Sequence, residues 1–247
     1  MLRWLELRAP LEAAVSLSLL PLWPLAPRGD GHAVLVLPGL SAGDASTALM
    51  RQFLQARGWS PHGWNQGLNL GFRPGVMDGL RTQLQQLARD SRRKVSLVGW
   101  SLGGVMAREL AKELPDQVRC VITLGSPFTG HPRQTHAWRL YEFVSGHRIN
   151  SDDLHRPLRE TPPVPTTSIY SRSDGVVSWH CSVERRRTLA ENIEVEASHL
   201  GLGLNPLALW AVADRLAQAE GAWVPFAREG WRGWLFGEPA ADHPHPD

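Results

Sequence analysis

The chain has 247 residues, of which 43% are hydrophobic and 20% charged, and its formal net charge is +2. That is long enough for one α/β domain with its own core and too apolar for a disordered chain. Two cysteines exclude a disulfide framework or Cys-rich zinc module, and basic runs of only three residues (92–94 and 185–187) exclude a nucleic-acid stripe.

Residues 13–26, AAVSLSLLPLWPLA, are apolar but too short and too interrupted by proline to span a bilayer. Glu6 and Glu12 stand beside Arg3 and Arg8, so no positive leader region precedes them, and no A-x-A site follows. The expectation is an uncleaved, cytoplasmic chain whose first 30 residues pack on the domain or lie on a membrane face.

From residue 32 the pattern alternates. HAVLVLPGL (32–40) is a continuous apolar run, as in strands buried on both faces. Residues 44–57 read as a helix stopped by Gly58, and 58–65 as a short strand. Val76, Leu80, Leu84 and Leu87 share one helical face. KVSLVGW (94–100) is a strand, 102–114 a helix ended by Pro115, and VRCVITLG (118–125) another strand. This order implies a parallel sheet with helices on both faces. The alternation lapses over 128–163, which read as an inserted cap. It resumes with strands at 165–171 and 192–197 and a last helix capped by Asn205 and opened by Pro206. The tail from 222 to 247 holds Trp223, Phe226, Trp231, Trp234 and Phe236. It is expected to pack on the domain, against the apolar N-terminus, or to offer a membrane-facing or subunit surface.

The strongest chemical signal is Gly99-Trp100-Ser101-Leu102-Gly103, with Gly104 following. It matches G-x-S-x-G between a strand and a helix, where a sharp turn exposes a serine nucleophile. A serine needs a base, and the base needs a carboxylate to orient it. In a parallel sheet, both belong on loops at the carboxyl ends of later strands. Asp174 follows the strand at 165–171 and His199 the strand at 192–197, in the chain order Ser, Asp, His. His180 is the rival base, and Asp152, Asp153 and Glu196 are the rival carboxylates. The oxyanion donors are expected to be the backbone N–H groups of Leu102 and, in Pro38-Gly39-Leu40-Ser41, of Leu40, with Ser41 as the alternative. Trp100, Phe128 and Val176 are candidate substrate contacts, with core packing as their rival role. The cap histidines, His131, His136, His147 and His155, lack zinc spacing, and there is no dinucleotide or Walker loop, so no metal or cofactor is expected.

With VLVLPGL, GWSLGG, VITLGSP, SRSDGVV and SHLGL, residues 30–220 resemble the α/β-hydrolase superfamily in its bacterial lipase and esterase-like branch. The resemblance implies an α/β-hydrolase fold with an eight-stranded, mostly parallel sheet and a cap inserted after strand six. It divides the chain into a packed N-terminal segment (1–30), a catalytic domain (31–221) and an aromatic tail (222–247). It further implies a serine hydrolase acting on hydrophobic or lipid-like esters through an acyl-enzyme. Thioester cleavage, acyl transfer and a membrane-peripheral interaction module with little turnover are the alternatives. The Pro38-Gly39 pair departs from the HG dipeptide found in part of the family.

Overall fold

The structure is a computed structural model that describes residues 6–18, 20–129, 158–185 and 187–240. Six parallel strands form one sheet: β1 (Ala33–Leu37), β2 (Ser60–Gly63), β3 (Val95–Trp100), β4 (Val118–Leu124), β5 (Thr166–Tyr170) and β6 (Ala190–Glu194), in the order β2-β1-β3-β4-β5-β6. The helices are α1 (Ala9–Ser18), α2 (Ala48–Ala56), α3 (Val76–Ser91), α4 (Leu102–Glu113), α5 (Pro206–Leu216) and the single turn α6 (Arg232–Leu235).

The central strands β1, β3 and β4 are buried on both faces because they are largely apolar at both alternating positions. Val34 and Val36 of β1, Val98 of β3, Ile122 of β4 and Ile169 of β5 face α2 and α5, meeting Phe53, Leu54, Leu209 and Val212. Leu35 and Leu37, Leu97 and Val121 face the other way, onto Leu80 and Leu84 of α3 and Val105, Met106 and Leu110 of α4. Each such side chain contributes about 1.5–3 kcal/mol when fully buried. Helix α5 begins as its sequence predicts, with the Asn205 side chain accepting from the N–H groups of Leu207 and Ala208.

Several expectations change. The described sheet has six strands rather than eight. The cap interval falls between the fourth and fifth of them, and residues 130–157 of it, including Asp152 and Asp153, lie outside the described residues. The helix expected over 44–57 opens as a 3-10 turn at Asp44–Thr47. The Asp44 carboxylate is engaged by the N–H groups of Trp64 and Asn65, beyond β2. Strand β6 spans Ala190–Glu194 rather than 192–197. Its neighbour in the described sheet, β5, ends at Tyr170 opposite Glu194, so the ladder stops there.

The two apolar ends find different partners. Trp23 packs edge-on against Phe53 of α2 at 5.1 Å. The tail instead gathers on α5, where Trp210 meets Phe226, Trp231 and Phe236. The tail also adds one antiparallel bridge, Glu194 to Gly237, on the outer edge of β6. Phe226 and Phe236 are buried, whereas Trp234 is 90% exposed. Among the described residues, no helix is long and apolar enough to cross a membrane. Neither cysteine forms a disulfide, and both are buried.

Candidate active site

All strands run the same way, so the loops leaving β1, β3, β4, β5 and β6 open on one edge. Strand order reverses beside β1, the position at which open α/β sheets bind their ligands. Five of those loops build the site.

Ser101 stands between β3 and α4 at φ 53° and ψ −122°, a backbone region sparsely populated outside glycine. The flanking glycines are required by close approach. A Cβ at Gly99 would overlap the backbone of Gly104, one at Gly103 the carbonyls of Leu37 and Pro38, and one at Gly104 the Ser126 hydroxyl. Strand, elbow and helix can close this tightly only without side chains. The turn projects the serine over the amino end of α4, whose first N–H groups have no partner inside the helix.

Ser101 Oγ lies 3.0 Å from His199 Nε2, and His199 Nδ1 lies 2.6 Å from Asp174 Oδ2. An ionised carboxylate only accepts, so Nδ1–H donates to Asp174 and Nε2 is left to accept from the serine hydroxyl. The other Asp174 oxygen accepts from the N–H groups of Val176 and Val177, which orients the carboxylate. Gly125, after β4, backs this pair. Its φ is 54°, and a Cβ there would lie 3.0 Å from Asp174 Oδ2 and 3.2 Å from His199 Nδ1. All three side chains are buried among loops.

The rivals are elsewhere. His180 stacks on Trp179 at 3.7 Å and faces the Ser178 hydroxyl. Glu196 is beyond the end of β6, with Arg8 and Ser173 donating to it. The Ser41 N–H is taken by the carbonyl of Asn69, whereas that of Leu40 donates to no partner among the described residues. Leu102 supplies the first helical N–H beside Ser101.

Of the expected substrate contacts, Phe128 is committed to packing, 2% exposed, with the Arg108 guanidinium 3.8 Å from its ring centre. Trp100 is buried beneath the histidine loop and donates its indole N–H to the His199 carbonyl at 3.1 Å. Val176 keeps exposed surface.

One residue carries a role that no motif signals. Asn69, wholly buried, donates from Nδ2 to the Pro38 carbonyl at 2.8 Å and accepts at Oδ1 from Gly71 N–H. Its backbone pairs with Ser41 and Ala42. It clamps the Pro38–Ala42 loop from outside.

A second Ser, His and Asp align at the opposite edge of the sheet. His32 Nε2 is 2.8 Å from Ser96 Oγ, and its Nδ1 is 2.5 Å from Asp30. Ser96 sits within β3, fully buried and paired to β1, with no turn to expose it and no helix start beside it. Residue types and distances match at both edges; only the loop edge supplies a turn with positive φ at the serine and a helix amino end.

Known proteins fit this picture. The family model of the PGAP1-like alpha/beta domain matches residues 76–171, from α3 through the elbow to the start of the Asp174 loop. Aspergillus fumigatus lipase B is 18% identical over 78% of this chain and 54% of its own, with a TM-score of 0.61. A monoacylglycerol lipase of Paleococcus ferrophilus is 12% identical over 76% and 96%, with a TM-score of 0.53. An alpha/beta superfamily hydrolase of Oenococcus oeni is 17% identical over 75% and 91%, also with a TM-score of 0.53. The chain thus spans about half of the first of these and nearly all of the other two. No curated protein sequence matches it. At such identities the likeness is one of fold, and function has to be argued from the site.

Proposed function

We propose that this chain, an α/β hydrolase by fold, is a serine hydrolase that cleaves carboxylic esters. The observation that carries the reading is the Ser101–His199–Asp174 array at 3.0 and 2.6 Å, with the serine held at a positive φ over a helix amino end.

His199 Nε2 takes the hydroxyl proton as Ser101 Oγ bonds to the ester carbonyl carbon. Asp174 holds the ring and stabilises the imidazolium without taking its proton. The carbonyl oxygen becomes an oxyanion, met by the N–H groups of Leu102 and Leu40. The ester C–O bond breaks, the imidazolium protonates the leaving alcohol, and an acyl-serine remains. Water, deprotonated by His199, repeats the addition; the acid leaves and the serine regains its proton. Substrates with an apolar acyl group suit the half-buried Leu40, whose N–H faces the oxyanion in this mechanism, and the exposed Leu200, next to His199. The lipase names of two structural neighbours agree with that choice.

The test is hydrolysis of p-nitrophenyl esters from short to long acyl chains by wild type and Ser101→Ala. The expected result is turnover by the wild type and a fall of at least ~10⁴-fold in the variant. Turnover that survives the substitution removes Ser101 from the mechanism. A profile confined to the shortest acyl groups removes the lipid-like substrate.

A further inference from the structure

The segment leading into α1 lies against the two loops that carry Asp174 and His199. Glu6 Oε1 accepts from the backbone N–H of Gly175 and from that of His199, both at 2.8 Å, and its Oε2 accepts from Leu200 N–H at 3.0 Å. Glu12 accepts from the backbone N–H of Ser198 at 2.9 Å and from its hydroxyl at 2.5 Å. Arg8 donates to the Ser173 hydroxyl and pairs with Glu12 and Glu196.

Three features separate this from a chance surface contact. Glu6 binds both loops at once, touching the residue after Asp174 and the backbone of His199 itself. The consecutive N–H groups of His199 and Leu200 converge on one carboxylate, as in backbone nests built for anions. Gly201 leaves the space that Glu12 enters, because a Cβ there would overlap the Glu12 carboxylate. The loops leave different strands; Ser173 also ties them by donating to Glu196 and to the Ala197 carbonyl, but among the described residues only Glu6 accepts from the backbone N–H of His199 itself.

We propose that Glu6 is a positioning residue for the reaction, with Glu12 bracing it. By joining the Asp174 loop to the His199 loop, Glu6 keeps the imidazole in line with Ser101 Oγ. Deleting its carboxylate frees two backbone N–H groups of the histidine loop and one of the acid loop, and the Nε2–Oγ alignment loosens. The proposal rests on the reading of Ser101, His199 and Asp174 as the reacting group.

The test uses the full chain and a fluorophosphonate probe, which needs the serine and its base but no particular acyl group. Ser101 Oγ bonds to phosphorus, the P–F bond breaks, fluoride leaves, and the serine proton passes to His199. Labelling rates and thermal midpoints are measured for wild type, Ser101→Ala, Glu6→Ala, Glu6→Gln and Glu6→Asp. The wild type is expected to label and Ser101→Ala not. Glu6→Ala should label ~10–100-fold more slowly, the scale of a catalytic group misplaced by a fraction of an ångström to an ångström. Glu6→Gln, which keeps an acceptor for Gly175 and His199, should recover most of that loss at an unchanged midpoint. Labelling of Glu6→Ala within twofold of wild type overturns the proposal, as does a Glu6→Gln equally slow. If Glu6→Ala does not fold, Glu6→Asp decides: one methylene shorter, it should label slowly, and a wild-type rate overturns the proposal. A wild type that does not label fails earlier, by removing the serine hydrolase reading itself.

Discussion

Asn69 does for the oxyanion loop what no side chain within that loop does. In the proposed mechanism the Gly39–Leu40 backbone presents an N–H toward Ser101, and a glycine-containing turn has no intrinsic reason to hold that pose. The hydrogen bond from Asn69 to the Pro38 carbonyl supplies it from 31 positions away. Asn69→Ala leaves that buried carbonyl unpaired, a cost of ~1–3 kcal/mol. The donor beside it drifts, and kcat on a p-nitrophenyl ester is expected to fall about tenfold to a hundredfold with KM little changed. That is less than the ~10²–10³ for losing an oxyanion donor outright. Steady-state kinetics check it, and an unchanged kcat contradicts the role. The elbow serine is legible in sequence because its spacing, glycines and flanking periodicity all lie within ten residues. Asn69 and Glu6 are not, because each acts through backbone groups far away, and backbone partners leave no mark on residue type.

Helix α4 links the elbow to the segments on either side of residues 130–157. Its Arg108, fully buried, pairs with the equally buried Glu184 and donates to the Glu160 carbonyl. Thr161 donates to the second Glu184 oxygen, and Phe128 lies beneath the guanidinium. A buried pair adds little net stability over an apolar pair of the same shape, but breaking it strands a charge. Arg108→Met is therefore expected to cost ~3–5 kcal/mol. Arg108→Met combined with Glu184→Leu should recover much of that, so that the two losses fail to add. Denaturant melts of the single and double variants check this, and additive losses contradict it. At this scale the sequence reads well where each element is decided by its own pattern: apolar strands on two-sided burial, α5 on Asn205 and Pro206. It reads poorly where a neighbour decides. Strand β6 stops at Glu194 because β5 stops at Tyr170, although the alternation in its own residues continues. Among the described residues the aromatic tail settles on Trp210, because α5 offers a ring to pack against, which composition does not reveal.

Across the whole molecule, β3 and the turn that follows it carry two serines five residues apart in two Ser-His-Asp alignments with opposite consequences. At the loop edge, Ser101 is turned out over a helix start. At the far edge, Ser96 is locked in the sheet, and His32 and Asp30 work as struts joining β1, β3 and Arg119 of β4. The far cluster has its own dependence on pH. Burial holds the His32 imidazole below its ordinary value; Asp30 partly offsets this, while Arg119 and Arg93 add to it. Burial would raise the Asp30 carboxyl, but hydrogen bonds from Arg119 and His32 outweigh it and hold the group well below the usual carboxylate range. Both groups therefore bind protons more readily in the unfolded chain. The stability they contribute is complete above their unfolded values, about 6.5 for histidine and 3.9 for aspartate. It is lost as the pH falls below those values, with a slope for His32 approaching ~1.4 kcal/mol per pH unit. Thermal melts at pH 7.5 and pH 5 are expected to show a drop in midpoint for the wild type that is clearly smaller in His32→Gln, even though that variant starts lower. The pH 5 end isolates the imidazole, because the carboxylate is still ionised there in both states. Equal drops in the two proteins contradict the assignment of His32 as a neutral strut and move the acid sensitivity to other histidines.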